Sequence, residues 1–414
     1  MTDGSDFIYD WNTDQPDVVS VGAELNDETL RDGLQSPSVR SPSIEDKIRI
    51  LHYMAGLGIQ SANIGLPGAG PAAKSDVIAL AREIRDSRLP VACNCAARTL
   101  AVDIDPIVEA SEVAGIAIEA SVFIGSSPIR QYAEDWTLDR MVRHTVEAVG
   151  YAIDHGLPVM YVTEDTTRAH PETLRRLYTA AIEAGAKRVC VADTVGHVTP
   201  AGVRRLVSFI RELVNETDPD TSIDWHGHND RGLGLVNSLT AAESGADRVH
   251  GTAIGIGERV GNTAMDQLLV NFRLLGWIDT DLSSLGDYCD LVSESTGVPI
   301  PANYPVMGRD AFRTATGVHA AAVIKAMHKG NQWLANRIYS GVPADYFGRE
   351  QSIEIGPMSG QSNIVYWLEA RGLEATDGLV DHLFQICKRS DRVLDDADIM
   401  ATVLSWEARQ TAAS

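Results

Sequence analysis

Lysine is scarce in this chain. Of 414 residues only Lys47, Lys74, Lys187, Lys325, Lys329 and Lys388 are Lys, and Lys plus Arg total 35 against 57 Asp plus Glu. The formal charge of −22 repels phosphate backbones, so nucleic acid is not an expected partner. An acid-rich, Lys-poor surface suggests a high-salt cytoplasm. A GC-rich genome would explain the preference for Arg equally well, but not the excess of acid. Cysteine is rare too: five in a chain this long form no disulfide framework and imply reduced thiols. Long apolar runs are missing. No uninterrupted stretch reaches the roughly 18 apolar residues of a membrane span, so no membrane role is expected. The opening MTDGSDFIYDWNTDQPD lacks the basic and apolar regions of a secretory signal. The expectation is a soluble cytoplasmic protein.

What the chain does have is a core and a rhythm. Apolar residues make up 44% of it. Short apolar runs at 21–26, 61–65, 90–95, 118–124, 158–163, 188–192, 222–226 and 247–251 alternate with helical patterns such as IEDKIRILHYMAGLG and PETLRRLYTAAIEAG. Several helical patterns end in Gly, the usual C-cap. Alternating β and α over about 250 residues predicts a parallel sheet, and eight units are the number that closes a TIM barrel. An open doubly wound sheet is the alternative. It fits less well, because polar clusters recur after strands 1, 5, 6, 7 and 8, where a barrel has its active site. The expected organisation is a mobile lead-in over 1–18, a (β/α)8 barrel over 19–276, a connecting segment over 277–306 that ends Pro-rich (VPIPANYP), and a smaller, mainly helical region over 307–414.

The polar clusters carry the chemistry. In DWHGHND, His226 and His228 are two apart at a strand end, so both imidazoles point to one face. Two such rings at a barrel mouth favour a divalent metal, although buried structural histidines are a common alternative. ETLRDGLQSP leaves strand one with Asp32, a hard oxygen ligand, and Arg31, a fork of donors suited to an enolate or carbonyl oxygen. In isolation, RDG would read as a surface ion pair before a turn. GIGERVGN leaves strand eight, and its Asn262 could offer an amide oxygen to the metal. As a phosphate cradle that loop is misplaced, because it opens no βαβ unit. TEDTTRAHPE puts Glu164 at the rim, as ligand or proton relay. ADTVGHVTP brings Asp193 and Thr194 to the mouth, where Thr194 could bond a substrate carboxylate.

Taken together, TLRDGLQSP, EDTTRAHPE, DTVG, HGHNDRGLGLVN and GIGERVGN resemble the DRE-TIM metallolyase superfamily. More closely they resemble its branch of 2-isopropylmalate, homocitrate and citramalate synthases. GRDAFRTATGVHAAAVIK (308–325), YSGVPADYFG and GPMSGQSN extend the resemblance past the barrel, to roughly residues 20–370. It implies Asp32, His226 and His228 as metal ligands, with Asn262 at or beside the metal. It implies Arg31 as the arginine that stabilises enolate and keto oxygens, Glu164 as the catalytic carboxylate and Thr194 as the holder of the 2-oxo acid carboxylate. His319 and Tyr339 would assist proton transfer, often in the partner subunit of a homodimer with shared sites. The implied cofactor is Mg, Mn or Zn, and the implied co-substrate is acetyl-CoA. The implied reaction is a Claisen-type condensation with a 2-oxo acid. Either Glu164 or His319 could start the proton transfer, singly or through one relay.

Departures leave the acceptor open. Asn63 precedes GLP where synthases often have an acidic residue and GFP, Gly227 separates the two histidines, and Arg130 stands where isopropylmalate synthases tend to have His. Asn63 and Arg130 are therefore candidate acceptor contacts. The chain ends near 414, so a leucine-binding regulatory domain and ordinary leucine feedback are not expected. The lyases that cleave 3-hydroxy-3-methylglutaryl-CoA share RDGLQ but carry a cysteine in the loop after strand eight, which GIGERVGN lacks. A non-catalytic metal or acyl-CoA binding protein would keep Arg31, Glu164 and His319 without need.

Overall fold

In the computed structural model, residues 7–9 and 22–413 are described. Eight parallel strands close into one barrel: β1 (Glu24–Asp27), β2 (Ser61–Asn63), β3 (Ala92–Arg98), β4 (Glu119–Gly125), β5 (Val159–Glu164), β6 (Arg188–Asp193), β7 (Ser222–Gly227) and β8 (Arg248–Gly251). Closure is carried by β1 on β8, from Glu24 against Arg248 to Asp27 against Gly251. The expected strands are all present, shifted at their ends by up to three residues. Val21, in the first apolar run, lies outside the described residues.

The helices between the strands start and stop for local reasons. Ser43 caps Ile44–Gly56 by accepting from the Asp46 N–H, and Pro171 and Pro200 open two others, where a missing N–H costs nothing. Gly115 ends Ala101–Ala114 in the left-handed region. Helix faces and outward strand residues make the apolar layer around the barrel. Leu51, Leu80, Ile107, Val149, Leu177, Ile210 and Trp225 are fully buried in it. Tyr161 and Tyr178 meet edge to face at 6.1 Å there, and the Tyr161 hydroxyl bonds Thr145 Oγ1 at 2.7 Å.

The barrel's compact unit runs from Asp17 to Pro299, beyond the expected boundary at 276. The helix Leu285–Thr296 therefore belongs to the barrel unit instead of a connecting segment. The reason is polar. Its Tyr288 is fully buried, and its hydroxyl bonds Asp27, at the end of β1, and Thr29. The second unit is built on Ile300–Ser414. It is mainly helical, with one two-strand pairing, Arg313–Thr314 on Ser352–Ile353. Ile355, Ile364, Trp367, Leu368, Leu383 and Val403 form its main core. Of the lead-in expected over 1–18, only Phe7, Ile8 and Tyr9 are among the described residues, and Phe7 lies 6.4 Å from the Trp333 ring. Among the described residues, no helix is long and apolar enough to cross a membrane.

Candidate active site

The C-terminal ends of the strands surround a cavity of about 290 Å³. Arg31, Asp32, Asn63, Glu164, Thr194, His226 and His228 all line it. Asp32 opens the short 3-10 turn Asp32–Gln35 after β1, while His226 and His228 come from the end of β7. Alternation along β7 puts both rings on the inner side, as their spacing predicts. Asp32 Oδ2 lies 3.2 Å from His226 Nε2 and 3.4 Å from His228 Nε2, and those two nitrogens are 3.3 Å apart.

Three features make this group suited to a divalent cation. One carboxylate and two imidazole nitrogens gather within 4.8 Å of one another, all buried. Asp32 Oδ1 and Asn262 Oδ1 are both buried without a hydrogen-bond partner, a costly state for oxygen lone pairs unless a cation takes them. The donor set also suits such a metal. The electrostatics agree. Burial alone would raise the Asp32 pKa, but Arg31 and the two histidines outweigh it and hold the carboxyl well below its usual range. Burial pushes the His226 pKa down, against the pull of Asp32, which leaves the ring neutral as a ligand must be.

The loop after β8 is shaped by glycines. Gly257 has φ +143°, and a Cβ there would stand 2.1 Å from Asn262 Nδ2. Gly261 has φ +89°, and its Cβ would fall 1.8 Å from the Gly255 carbonyl oxygen. A side chain at Gly257 would displace Asn262, and one at Gly261 would push away the Gly255 carbonyl that takes the Asn262 N–H at 3.2 Å; Asn262 is also held by a backbone bridge to His228 and by its Nδ2 donating to the Ile256 carbonyl at 3.1 Å. Arg259 ties the loop down through Asp230, at 2.8 Å, and Glu258, at 3.4 Å.

Glu164 ends β5, and Arg130 Nη2 lies 3.7 Å from its Oε2. Burial, Glu258 and Asp165 raise the Glu164 pKa more than Arg130 and Arg31 lower it. Thr194 Oγ1 accepts from the Asp165 N–H at 2.8 Å, so its own hydroxyl proton stays available to the cavity. Asp193 does not face the mouth. It is buried, and its Oδ1 takes Thr167 Oγ1 at 2.7 Å and the His197 N–H at 2.9 Å, fixing the turn after β6. Asn63 Oδ1 accepts from the Gly65 N–H at 3.3 Å. In the second unit, His319 and Tyr339 are exposed and paired, ring centroids 4.2 Å apart.

The sequence reading missed the floor of this cavity. Asn26, Glu28, Asn94, Asp224, Arg248 and His250 are all buried inside the barrel. Asp224 receives Arg188 at 2.8 Å, Arg248 at 2.6 Å and His250 at 2.8 Å. Burial works against the charged His250 ring, yet Asp224 and Glu28 on its two sides raise its pKa. The signal was available. Asp224 and His226, Arg248 and His250, and Asn26 and Glu28 are each two apart, so period-two alternation points each pair into the bore.

A closed barrel with carboxylate, imidazole and arginine at its C-terminal mouth defines a metal-competent TIM-barrel class. Residues 23–292 match the HMGL-like family, and the chain belongs to it, within the DRE-TIM metallolyase superfamily. A probable 2-isopropylmalate synthase of Methanopyrus kandleri is 34% identical over 365 residues, covering 87% of this chain and 68% of the relative. The homocitrate synthase AksA of the same organism is 34% identical over 378 residues, covering 91% and 88%. Its putative (R)-citramalate synthase CimA is 32% identical, covering 93% and 70%. Among solved structures, the HMG-CoA lyase of Bacillus subtilis shares the fold, with TM-score 0.56 and 23% identity over 68% of this chain and 96% of that one.

Proposed function

We propose that this barrel condenses acetyl-CoA with a 2-oxo acid, giving a 2-substituted malate and CoA. The observation that carries the reading is the convergence of Asp32, His226, His228, Arg31, Glu164 and Thr194 on one cavity. Kinship with synthases of isopropylmalate, homocitrate and citramalate supports it. Asp32, His226 and His228, with Asn262 beside them, would hold a divalent cation, which supplies Lewis-acid polarisation of the keto acid when bound. Thr194 donates to the acceptor's carboxylate. Glu164 takes a proton from the acetyl methyl. Arg31 balances the charge that develops on the enolate and then on the former keto oxygen. A carbon–carbon bond forms between the methyl carbon and the keto carbon, the oxygen is protonated, and water cleaves the thioester to release CoA thiol.

For the acceptor we propose a 2-oxo acid with an apolar side chain, as in isopropylmalate synthesis. Leu66, Ala96, Phe123, Met160, Val162 and Ala192 line the cavity, and among the described residues Arg31 is the lone Arg or Lys lining it. A second reading, a dicarboxylic acceptor such as 2-oxoglutarate, is favoured by Arg130, whose Nε is buried without a hydrogen-bond partner. The test is thiol release from acetyl-CoA with 2-oxoisovalerate, pyruvate, 2-oxoglutarate and bulkier 2-oxo acids in turn, with product masses. Fastest turnover with 2-oxoglutarate would select the second reading. No thiol release with any acceptor would overturn the condensation.

A further inference from the structure

The polar floor has a feature that the condensation does not by itself require. Glu28 is buried directly beneath Arg31. Its Oε2 accepts from Arg31 Nε at 2.9 Å and from Nη2 at 2.5 Å, while Arg31 Nη1 reaches Asp32 Oδ2 at 3.3 Å. Its Oε1 accepts from Asn26 Nδ2 at 3.0 Å and lies 3.2 Å from His250 Nδ1. Its carbonyl accepts from the Arg31 and Gly33 N–H groups at 3.1 and 3.0 Å, so one residue anchors both backbone and side chain of the turn. Glu28, His226 and His250 could also be taken for a second metal group. That reading fails on the carboxylate, because both Glu28 oxygens are already engaged by Arg31 and Asn26, and His250 Nε2 is taken by Asp224, although His250 Nδ1 has no hydrogen-bond partner.

Arginine has five N–H donors in a rigid plane, on a long and otherwise floppy stem. Three are engaged by Glu28 and Asp32, which leaves two for the cavity that Arg31 lines. We propose that Glu28 is a positioning residue: it grips the Nε–Nη2 edge of Arg31 and so fixes which donors face the reacting oxygen. This rests on the role given to Arg31 above. The arrangement also explains why a carboxylate is tolerated in the bore, flanked by Arg31 on one side and His250 on the other.

Two measurements test it. In the metal-loaded full chain, Glu28→Gln keeps the shape but loses the charge. It should lower kcat and kcat/KM together by about a hundredfold, the order lost when a catalytic group is misplaced, with bound metal per chain unchanged. Unchanged kcat would overturn the proposal. The second measurement stands even if Glu28→Gln folds poorly, and it does not depend on turnover. Methylguanidinium should occupy the space vacated in Arg31→Ala and raise its melting temperature, but leave Arg31→Ala/Glu28→Gln unmoved. Equal shifts in both variants, or a shift in neither, would overturn the clamp. Full activity of Arg31→Ala would instead refute the catalytic role assigned to Arg31, while the methylguanidinium shifts would still decide whether Glu28 grips a guanidinium.

Discussion

Replacing Asp27 by Asn should make the protein gain on its parent as pH rises. Asp27 ends β1 and is fully buried, and burial raises its pKa from 3.8 to about 6, against the bonds from Thr29 and Tyr288 that favour its charge. A carboxyl whose folded pKa exceeds its unfolded value holds its proton more tightly when folded. Its contribution is therefore most favourable below the unfolded value and is lost as pH climbs through about 6. A shift of about two units corresponds to ~3 kcal/mol in full. Roughly 1.4 kcal/mol of that falls between about pH 5 and about pH 7.5. Asp27→Asn cannot ionise, so the difference in unfolding free energy should move in its favour by this amount, on top of a constant offset from altered bonds to Thr29 and Tyr288. Urea unfolding followed by Trp fluorescence, with chelator present so that metal release adds nothing, measures it. Tyr288→Phe should act in the opposite sense, because removing that donor raises the Asp27 pKa further. Parallel pH profiles for Asp27→Asn and parent, or a variant that loses ground as pH rises, would refute the reasoning.

His226→Ala or His228→Ala should abolish turnover and lower bound divalent metal by elemental analysis while circular dichroism stays unchanged; full activity of a chelator-stripped sample would contradict this. Asp224→Ala should destabilise the barrel by about 3–5 kcal/mol in denaturant titration, because it strands Arg188, Arg248 and His250 in the bore. With a net charge of −22, the melting temperature should rise steeply from low to molar KCl as self-repulsion is screened, and a flat profile would remove the high-salt interpretation. If subunits share sites, as the family resemblance implies, mixing inactive Arg31→Ala and His319→Ala chains should restore about half the activity per heterodimer. No recovery after proven subunit exchange would count against sharing.

The barrel was legible in the sequence because its signals are local. Apolar runs of strand length, helical periodicity and terminal glycines each report their own segment, and eight βα units are the number that closes a TIM barrel. Part of the mouth was legible too: two-residue spacing puts His226 and His228 on one face of a strand end, while Asp32 as a metal ligand came in through the family resemblance. What only the tertiary structure decided was which distant groups share a neighbour. The register of β1 on β8 sets Asn26 opposite His250, and that of β7 on β8 sets Asp224 opposite Arg248. Those two registers, together with Asn94 of β3 donating to Asn26 at 2.7 Å, turn six separate polar residues into one floor beneath Arg31. The pairing of Tyr288 with Asp27 spans 261 residues and moves a helix from an expected connecting segment onto the barrel. Sequence spacing fixes the side of a strand on which a residue points. It does not fix which charge it meets across the bore, and that meeting sets the buried pKa values.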